Sequence, residues 1–204
     1  MDRSLSAIFC VDVSSGPNVK TNLLKVMDYV FDLIPVIKLS VRKVRVKIVE
    51  FGHVDPNKSL VVSRWFDVSD RKLSEYLEYV SNIEVVDVKH DVNVMDALLC
   101  AVTSDWVKEC DRRVHAIQVL SSNKIIEDRF DERFVSLYHL WHEPTLGLYL
   151  SHPGKRLILN APNNSRWHEF YEHFSMVTYN PFEGNDILPD YIYEDMAACL
   201  VCSL

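Results

Sequence analysis

The sequence predicts an α/β protein: a doubly wound, mainly parallel central sheet with one antiparallel edge strand and helices on both faces. Three features predict it. Short apolar runs of strand length alternate with longer stretches whose apolar residues recur at helical spacing. The two most uniformly apolar runs, 7–13 and 114–121, have the pattern of adjacent inner strands covered on both faces. One pair of strand-like runs is joined by a link too short for a crossover, as at an antiparallel sheet edge.

In chain order, residues 7–13 (AIFCVDV) are a continuous apolar run ending at an acid, broken by Ser14-Ser15-Gly16-Pro17-Asn18. Leu23, Met27, Val30 and Ile34, with Leu24 and Phe31 beside them, make one apolar helical face that Pro35 stops. Val44, Val46 and Ile48 alternate with Arg45 and Lys47 in a second strand that ends at Phe51. A turn over 52–57 leads into a third strand over 60–66. Leu73, Tyr76, Leu77, Val80 and Ile83 form a helix capped by Ser69 or Asp70, and residues 94–107 form another. A buried strand over 114–121 ends in the loop Ser121-Ser122-Asn123. A helix over 130–141, a strand over 156–160, a helix over 165–173, a strand over 176–179 and a closing helix over 188–204 complete the order.

The chain has 204 residues, the size of one large domain, so 1–204 is expected to be a single unit. With 29 acidic residues against 22 Lys and Arg, the net charge is −7, and no basic block interrupts it. That balance argues against general nucleic-acid or anionic-membrane binding. No run approaches the ~20 apolar residues of a bilayer span, and residues 1–6 lack the basic start and apolar core of a signal peptide. Five widely spread cysteines, an odd count, fit reduced thiols in a reducing compartment. The expected location is the cytoplasm.

Ligands of open α/β sheets bind beyond the carboxyl ends of the strands, where strand order reverses. The first strand ends there in Asp12-Val13-Ser14-Ser15-Gly16. A carboxylate and a hydroxyl two residues apart can face one small cation such as Mg²⁺. Equally, Asp12 can bond loop amides while Ser14 or Ser15 caps the helix.

Taken in order, strand–Asp-x-Ser–helix, the hairpin VRVKIVEFGH…SLVVSRWF, Asp96-Ala97-Leu98 and the strand HAIQVLSSN resemble a von Willebrand factor type A domain. The resemblance runs motif by motif over 7–123, and its layout is similar to that of small intracellular bacterial members of the family. It implies a protein-binding module whose loops grip a divalent cation through Asp-x-Ser-x-Ser, a later Thr and a later Asp. Asp12 and Ser14 stand at the first two positions, Gly16 at the third and Val92 at the Thr position, while Ser122 stands at or beside the later Asp. The resemblance therefore implies a degenerate metal-ion-dependent adhesion site: Asp12, Ser14 and Ser122 as remaining ligands, and no bound Mg²⁺ or a weakly bound one. Asp91 and Asn93, which flank Val92, are substitute oxygen donors if that loop shifts.

Other groupings carry less. His139 and His142 share a helix face, with Glu143 adjacent and His152 ten residues on, but no second pair lies at zinc spacing. Cys199-x-x-Cys202 falls inside an apolar terminal helix, where packing thiols are the ordinary occupants. The aromatics Trp141, Tyr149, Trp167, Tyr171 and Tyr191 read mostly as core, with a few left for an anchor patch. No phosphate-binding glycine loop and no nucleophile elbow is present.

The function expected is that of a non-enzymatic adaptor or assembly factor. It meets another protein, and neither nucleic acid nor membrane, through Asp12, Ser14, Ser15, Asp91, Asn93 and Ser122. A hydrolase or phosphoryl-transfer enzyme using Asp12, with Lys20 or Lys124 holding phosphate, is the alternative. A structural subunit with a vestigial site is the third reading.

Overall fold

The computed structural model describes residues 3–36, 41–55, 57–69, 72–90, 92–106, 112–125, 130–142, 155–181 and 188–201. The elements in order are β1 (Arg3–Asp12), α1 (Asn18–Val36), β2 (Val41–Phe51), β3 (Val61–Val62), β4 (Phe66–Asp67), α2 (Ser74–Asn82) and α3 (Val94–Val102). They continue with β5 (Arg112–Leu120), α4 (Phe130–His142), β6 (Lys155–Ala161), α5 (Ser165–His173), β7 (Val177–Pro181) and α6 (Asp190–Val201).

The sheet order is β3-β2-β1-β5-β6-β7, with β4 also paired to β2. Pairs β1–β2, β1–β5, β5–β6 and β6–β7 are parallel, while β3 and β4 run antiparallel to β2. The predicted class holds, and β1 and β5 are adjacent inner strands. Successive side chains of β1 serve opposite layers. Leu5, Ala7, Phe9 and Val11 join the core with α1, α2 and α6. Ile8 and Cys10 join the core with α3, α4 and α5. Burial on both faces is why β1 and β5 lack the apolar/polar alternation of a half-exposed strand. Strand order reverses between β1 and β5, so the crevice beyond their carboxyl ends is the switch point of the fold.

Three local expectations need correction. The run 60–66 is two two-residue strands rather than one. Ser63 interrupts it: its amide donates to the Ile48 carbonyl at 2.9 Å, while its Oγ accepts from Ile48 N at 2.8 Å. A hydroxyl thus replaces a ladder carbonyl, and Arg64 and Trp65 fall outside both strands. Ser69 does not cap α2. Its Oγ accepts from Val44 N at 3.0 Å, and α2 begins after Leu73 with no side-chain cap; Asp70 lies outside the described residues. Helix α3 stops at Val102, five residues early. There the Thr103 and Ser104 hydroxyls bond the Leu99 and Cys100 carbonyls at 2.8 and 2.9 Å, and the Trp106 indole folds back on the Ala101 carbonyl at 3.1 Å.

The last helix is fastened to the first. The Asn22 side chain accepts from Leu188 N at 3.3 Å and from the Tyr193 hydroxyl, and Tyr193 stacks on Tyr29 with ring centroids 5.8 Å apart. No helix among the described residues is long and apolar enough to cross a membrane.

Candidate functional site

β1, β2 and β5 end almost level, because Asp12 lies opposite Phe51 and Val11 opposite Leu120. The loops that follow therefore converge at the switch point, with the fully buried Asp12 carboxylate at their centre. Oδ1 accepts from Ser14 N at 3.0 Å and from the Ser14 hydroxyl. Oδ2 accepts from Ser121 Oγ at 2.7 Å and from Asn123 Nδ2 at 2.9 Å. Four protein donors thus share the charge, which is what a carboxylate removed from water requires.

Asn123 is the pivot of the cluster. Its Nδ2 also donates to Ser14 Oγ at 2.8 Å, so the amide nitrogen lies between the carboxylate and the hydroxyl. The reverse orientation would set the amide oxygen against two acceptors, so the chemistry selects nitrogen inward. The Asn123 carbonyl is held in turn by the indole of the fully buried Trp167 at 3.1 Å.

Gly52, at the end of β2, closes the other side. Its φ is +75°, and a Cβ there would lie 2.3 Å from Asp12 Oδ1 and 3.1 Å from Ser14 Oγ. Both the backbone conformation and the close approach require glycine. His90 Nε2 lies 3.1 Å from the Gly52 carbonyl.

A second tier fixes the loop after Asp12. Val13 N bonds the Phe51 carbonyl at 2.9 Å, Val86 N bonds Val13 O at 2.8 Å, and Gly16 N bonds Val86 O at 2.9 Å. Ser15 Oγ accepts from Ser122 N at 2.8 Å. Residues 86–88 thereby lie along the loop like a short strand, leaving Val86 and Val88 40% and 44% exposed; Val54, just past Gly52, is 60% exposed.

The structure brings Asp12, Ser14 and the Ser121–Asn123 loop together, with Ser15 one layer out. The side chains that reach Asp12 from that loop are those of Ser121 and Asn123, on either side of Ser122, whose amide goes to Ser15. Asn93 turns to its own helix: its Oδ1 accepts from Asp96 N at 3.3 Å and from Arg133 at 3.0 Å. Arg133 also pairs with Asp96 at 3.0 Å. Val92 is buried, and Asp91 lies outside the described residues. Spacing within the chain found Asp12 and Ser14. It missed Ser121, Asn123 and Gly52, although the amide in Ser121-Ser122-Asn123 is that loop's one two-proton side-chain donor.

For the cation that the resemblance implies, the oxygens of Asp12, Ser14 and Ser121 are of the right kind, but they face an N–H donor from Asn123. As arranged, the cluster satisfies itself, and Mg²⁺ would have to displace that amide.

The remaining candidates lie away from the cluster or outside the described residues, except Lys124, which directly follows Asn123, and Trp167, whose indole holds the Asn123 carbonyl. Lys20 Nζ donates to the Ser81 carbonyl at 2.7 Å, and Lys124 is exposed. His142 uses Nδ1 on Tyr138 O at 2.9 Å and accepts from Ser175 N at 3.4 Å; Glu143 and His152 lie outside the described residues. Cys10 and Cys100 are free thiols, and burial pushes both above the ordinary thiol range. Cys110, Cys202 and the Cys199 side chain lie outside the described residues. Trp141 and Trp167 are core, Tyr171 and Tyr191 are exposed, and Tyr149 lies outside the described residues.

No family model matches the chain, and no curated protein matches it. Among solved structures it is similar to the pilus adhesin SpaC from Lactobacillus rhamnosus GG, with a TM-score of 0.61 and 8% identity over 98% of this chain and 31% of that one. It is also similar to a von Willebrand factor type A protein from Catenulispora acidiphila, with a TM-score of 0.59 and 8% identity over 98% of this chain and 42% of that one. The chain spans less than half the length of either. The likeness is one of fold: a seven-stranded, mostly parallel, Rossmann-like α/β sheet of the von Willebrand factor type A kind.

Proposed function

We propose that the chain is a protein-binding module, an adaptor or assembly factor. It presents the loops at the carboxyl end of its sheet to another protein with little or no dependence on a divalent cation. The observation that carries this reading is the Asp12 cluster, in which protein donors already occupy both carboxylate oxygens and an amide stands between Asp12 and Ser14. On this reading the site is a degenerate adhesion site, and the hydrogen bonds within the cluster support it by ordering the loops. Val54, Val86 and Val88 add exposed apolar surface to the loops that close on it, the kind of surface that partners cover.

The same geometry favours a non-enzyme. Asp12 is sealed from solvent, and Lys20, one of the cations that could hold a phosphate, is spent on Ser81. The acidic net charge supports a protein partner over nucleic acid or an anionic membrane.

The test is affinity capture from source-cell extract with the tagged full chain, with and without EDTA, read by mass spectrometry. The same partner should be retained in EDTA, and Val86→Glu, a change at an exposed side chain, should weaken its capture. Release of the partner from the unaltered chain by EDTA would overturn cation independence. Undiminished capture by Val86→Glu together with Val88→Glu would overturn the placement of the surface.

A further inference from the structure

A second site stands apart from the Asp12 cluster. Between the antiparallel edge and α2 lies a cavity of about 620 Å³, within the size range of small-ligand sites. Its lining includes Glu50 and His53 from the end of β2 and the loop after it, Phe66 from β4, and Tyr79 from α2.

Glu50 is a buried carboxylate, only 6% exposed, at the margin of the sheet. Its Oε1 accepts from the Tyr79 hydroxyl at 2.6 Å. Its Oε2 faces His53 Nε2 at 3.9 Å, beyond hydrogen-bond distance. The His53 side chain is itself nine-tenths buried, and its Nε2 has no hydrogen-bond partner. The buried imidazole nitrogen thus lies beside a carboxylate oxygen that is too far away to satisfy it, an arrangement that costs stability unless something bridges the two.

The charge around them has one sign to spare. Arg64 pairs with Glu75 at 2.7 Å and Lys58 with Glu84 at 3.8 Å, both on the exposed rim. Those pairs use both Lys/Arg cations of the lining, which leaves Glu50 on the floor and Glu78 on the wall without a Lys or Arg partner among the described residues. Val61, Val62 and Ile83 supply apolar wall for methylene groups.

We propose that this pocket binds a primary alkylammonium group. The ammonium donates to Glu50 Oε2 and His53 Nε2 together, its alkyl stem lies against Val61 and Ile83, and Glu78 adds a second negative charge near the mouth. An ammonium has three donors and one positive charge, which suits a buried carboxylate without a Lys or Arg partner among the described residues beside an imidazole nitrogen without a hydrogen-bond partner. Such a group comes either from a free polyamine or from a lysine side chain of another protein.

Calorimetric titration of the full chain with spermidine, with Nα-acetyl-lysine methylamide, and with sodium acetate as an anion control tests this. Saturable binding of spermidine or of the lysine amide is expected, and the one that binds more tightly names the source. Glu50→Gln keeps the shape and an acceptor for Tyr79, and should weaken binding at least about tenfold. Glu78→Gln, at an exposed position, should weaken it about two- to fivefold. The proposal is overturned if neither amine binds saturably, if acetate binds as well as they do, or if Glu50→Gln, shown to be folded by its melting curve, binds as tightly as the unaltered chain. The last result would mean diffuse attraction to a chain of net charge −7.

Discussion

The side-chain nitrogen of Asn123 lies 2.9 Å from Asp12 Oδ2, joining positions 111 residues apart. Because the same nitrogen donates to Ser14 Oγ, one amide balances a buried carboxylate and its neighbouring hydroxyl.

Replacing that amide with a carboxylate should create a demand for metal. In Asn123→Asp two acids share one buried site and repel unless one takes up a proton. At neutral pH the variant should be destabilised by about 2–3 kcal/mol. Millimolar Mg²⁺ should recover much of the loss, since oxygen ligands would then surround the former amide position. Melting curves with Mg²⁺ and with EDTA should diverge for the variant and coincide for the unaltered chain.

Gly52→Ala should be among the most damaging single-methyl additions to this chain. The left-handed backbone alone costs about 1–2 kcal/mol, and the new Cβ would meet Asp12 Oδ1 at 2.3 Å. The carboxylate must move and release its donors, so a total of about 3 kcal/mol or more is expected in urea unfolding. A loss below that of the backbone alone would mean that the Asp12 cluster is not held as described.

Alkaline pH should weaken the fold from about pH 10 upward. Burial, reinforced by the charge of Asp28, pushes the Tyr76 hydroxyl well above its ordinary 10.0. Burial, with the bond and charge of Glu50, pushes up Tyr79, and burial carries Tyr193 to about 12. Raised values mean that the folded chain keeps protons the unfolded chain releases. This stability is therefore complete below about pH 10 and is lost as pH climbs toward the folded values, by about 1.4 kcal/mol per pH unit for a fully buried group. Lys155, pushed down by burial, acts in the opposite direction between its folded value and the ordinary 10.5. Tyr76→Phe should make the decline measured between pH 10 and 11 shallower by about one proton's worth.

Ser63→Ala should loosen the sheet edge while sparing the Asp12 cluster. Removing the hydroxyl leaves Ile48 N without its 2.8 Å acceptor, at a cost of about 1–2 kcal/mol. Hydrogen exchange at Ile48 and Val49 should accelerate, with exchange at Ser14 and Asn123 unchanged.

The sequence made the layers legible because they follow from periodicity. The continuous apolar stretch 7–11 of β1 and the mainly apolar 114–120 of β5 announce burial on two faces, and the spacing from Leu23 to Ile34 announces a helix with one. The edge was not legible, because the apolar residues around Ser63 hide the fact that its side chain, rather than its carbonyl, meets Ile48. Nor was the cap of α2, since nothing local shows that Ser69 is committed to Val44. At the candidate site, Asp12 and Ser14 were visible because they are two residues apart. Ser121, Asn123 and Gly52 depend on which strands lie beside β1, information that exists only once the sheet order is set.

The broken margin at Ser63 bears also on how the molecule fares among copies of itself. A long straight border of unpaired backbone groups is a template on which other chains stack into fibrils. Here one border is cut into pieces of two residues, and the opposite one, β7, runs for only five and ends at Pro181, which has no N–H to offer. Within the described residues, one border offers an incoming strand two paired residues at a time, and the other stops at a residue that cannot donate to a ladder. The interruption that costs the sheet part of a ladder thereby protects the chain from templated aggregation when it is abundant.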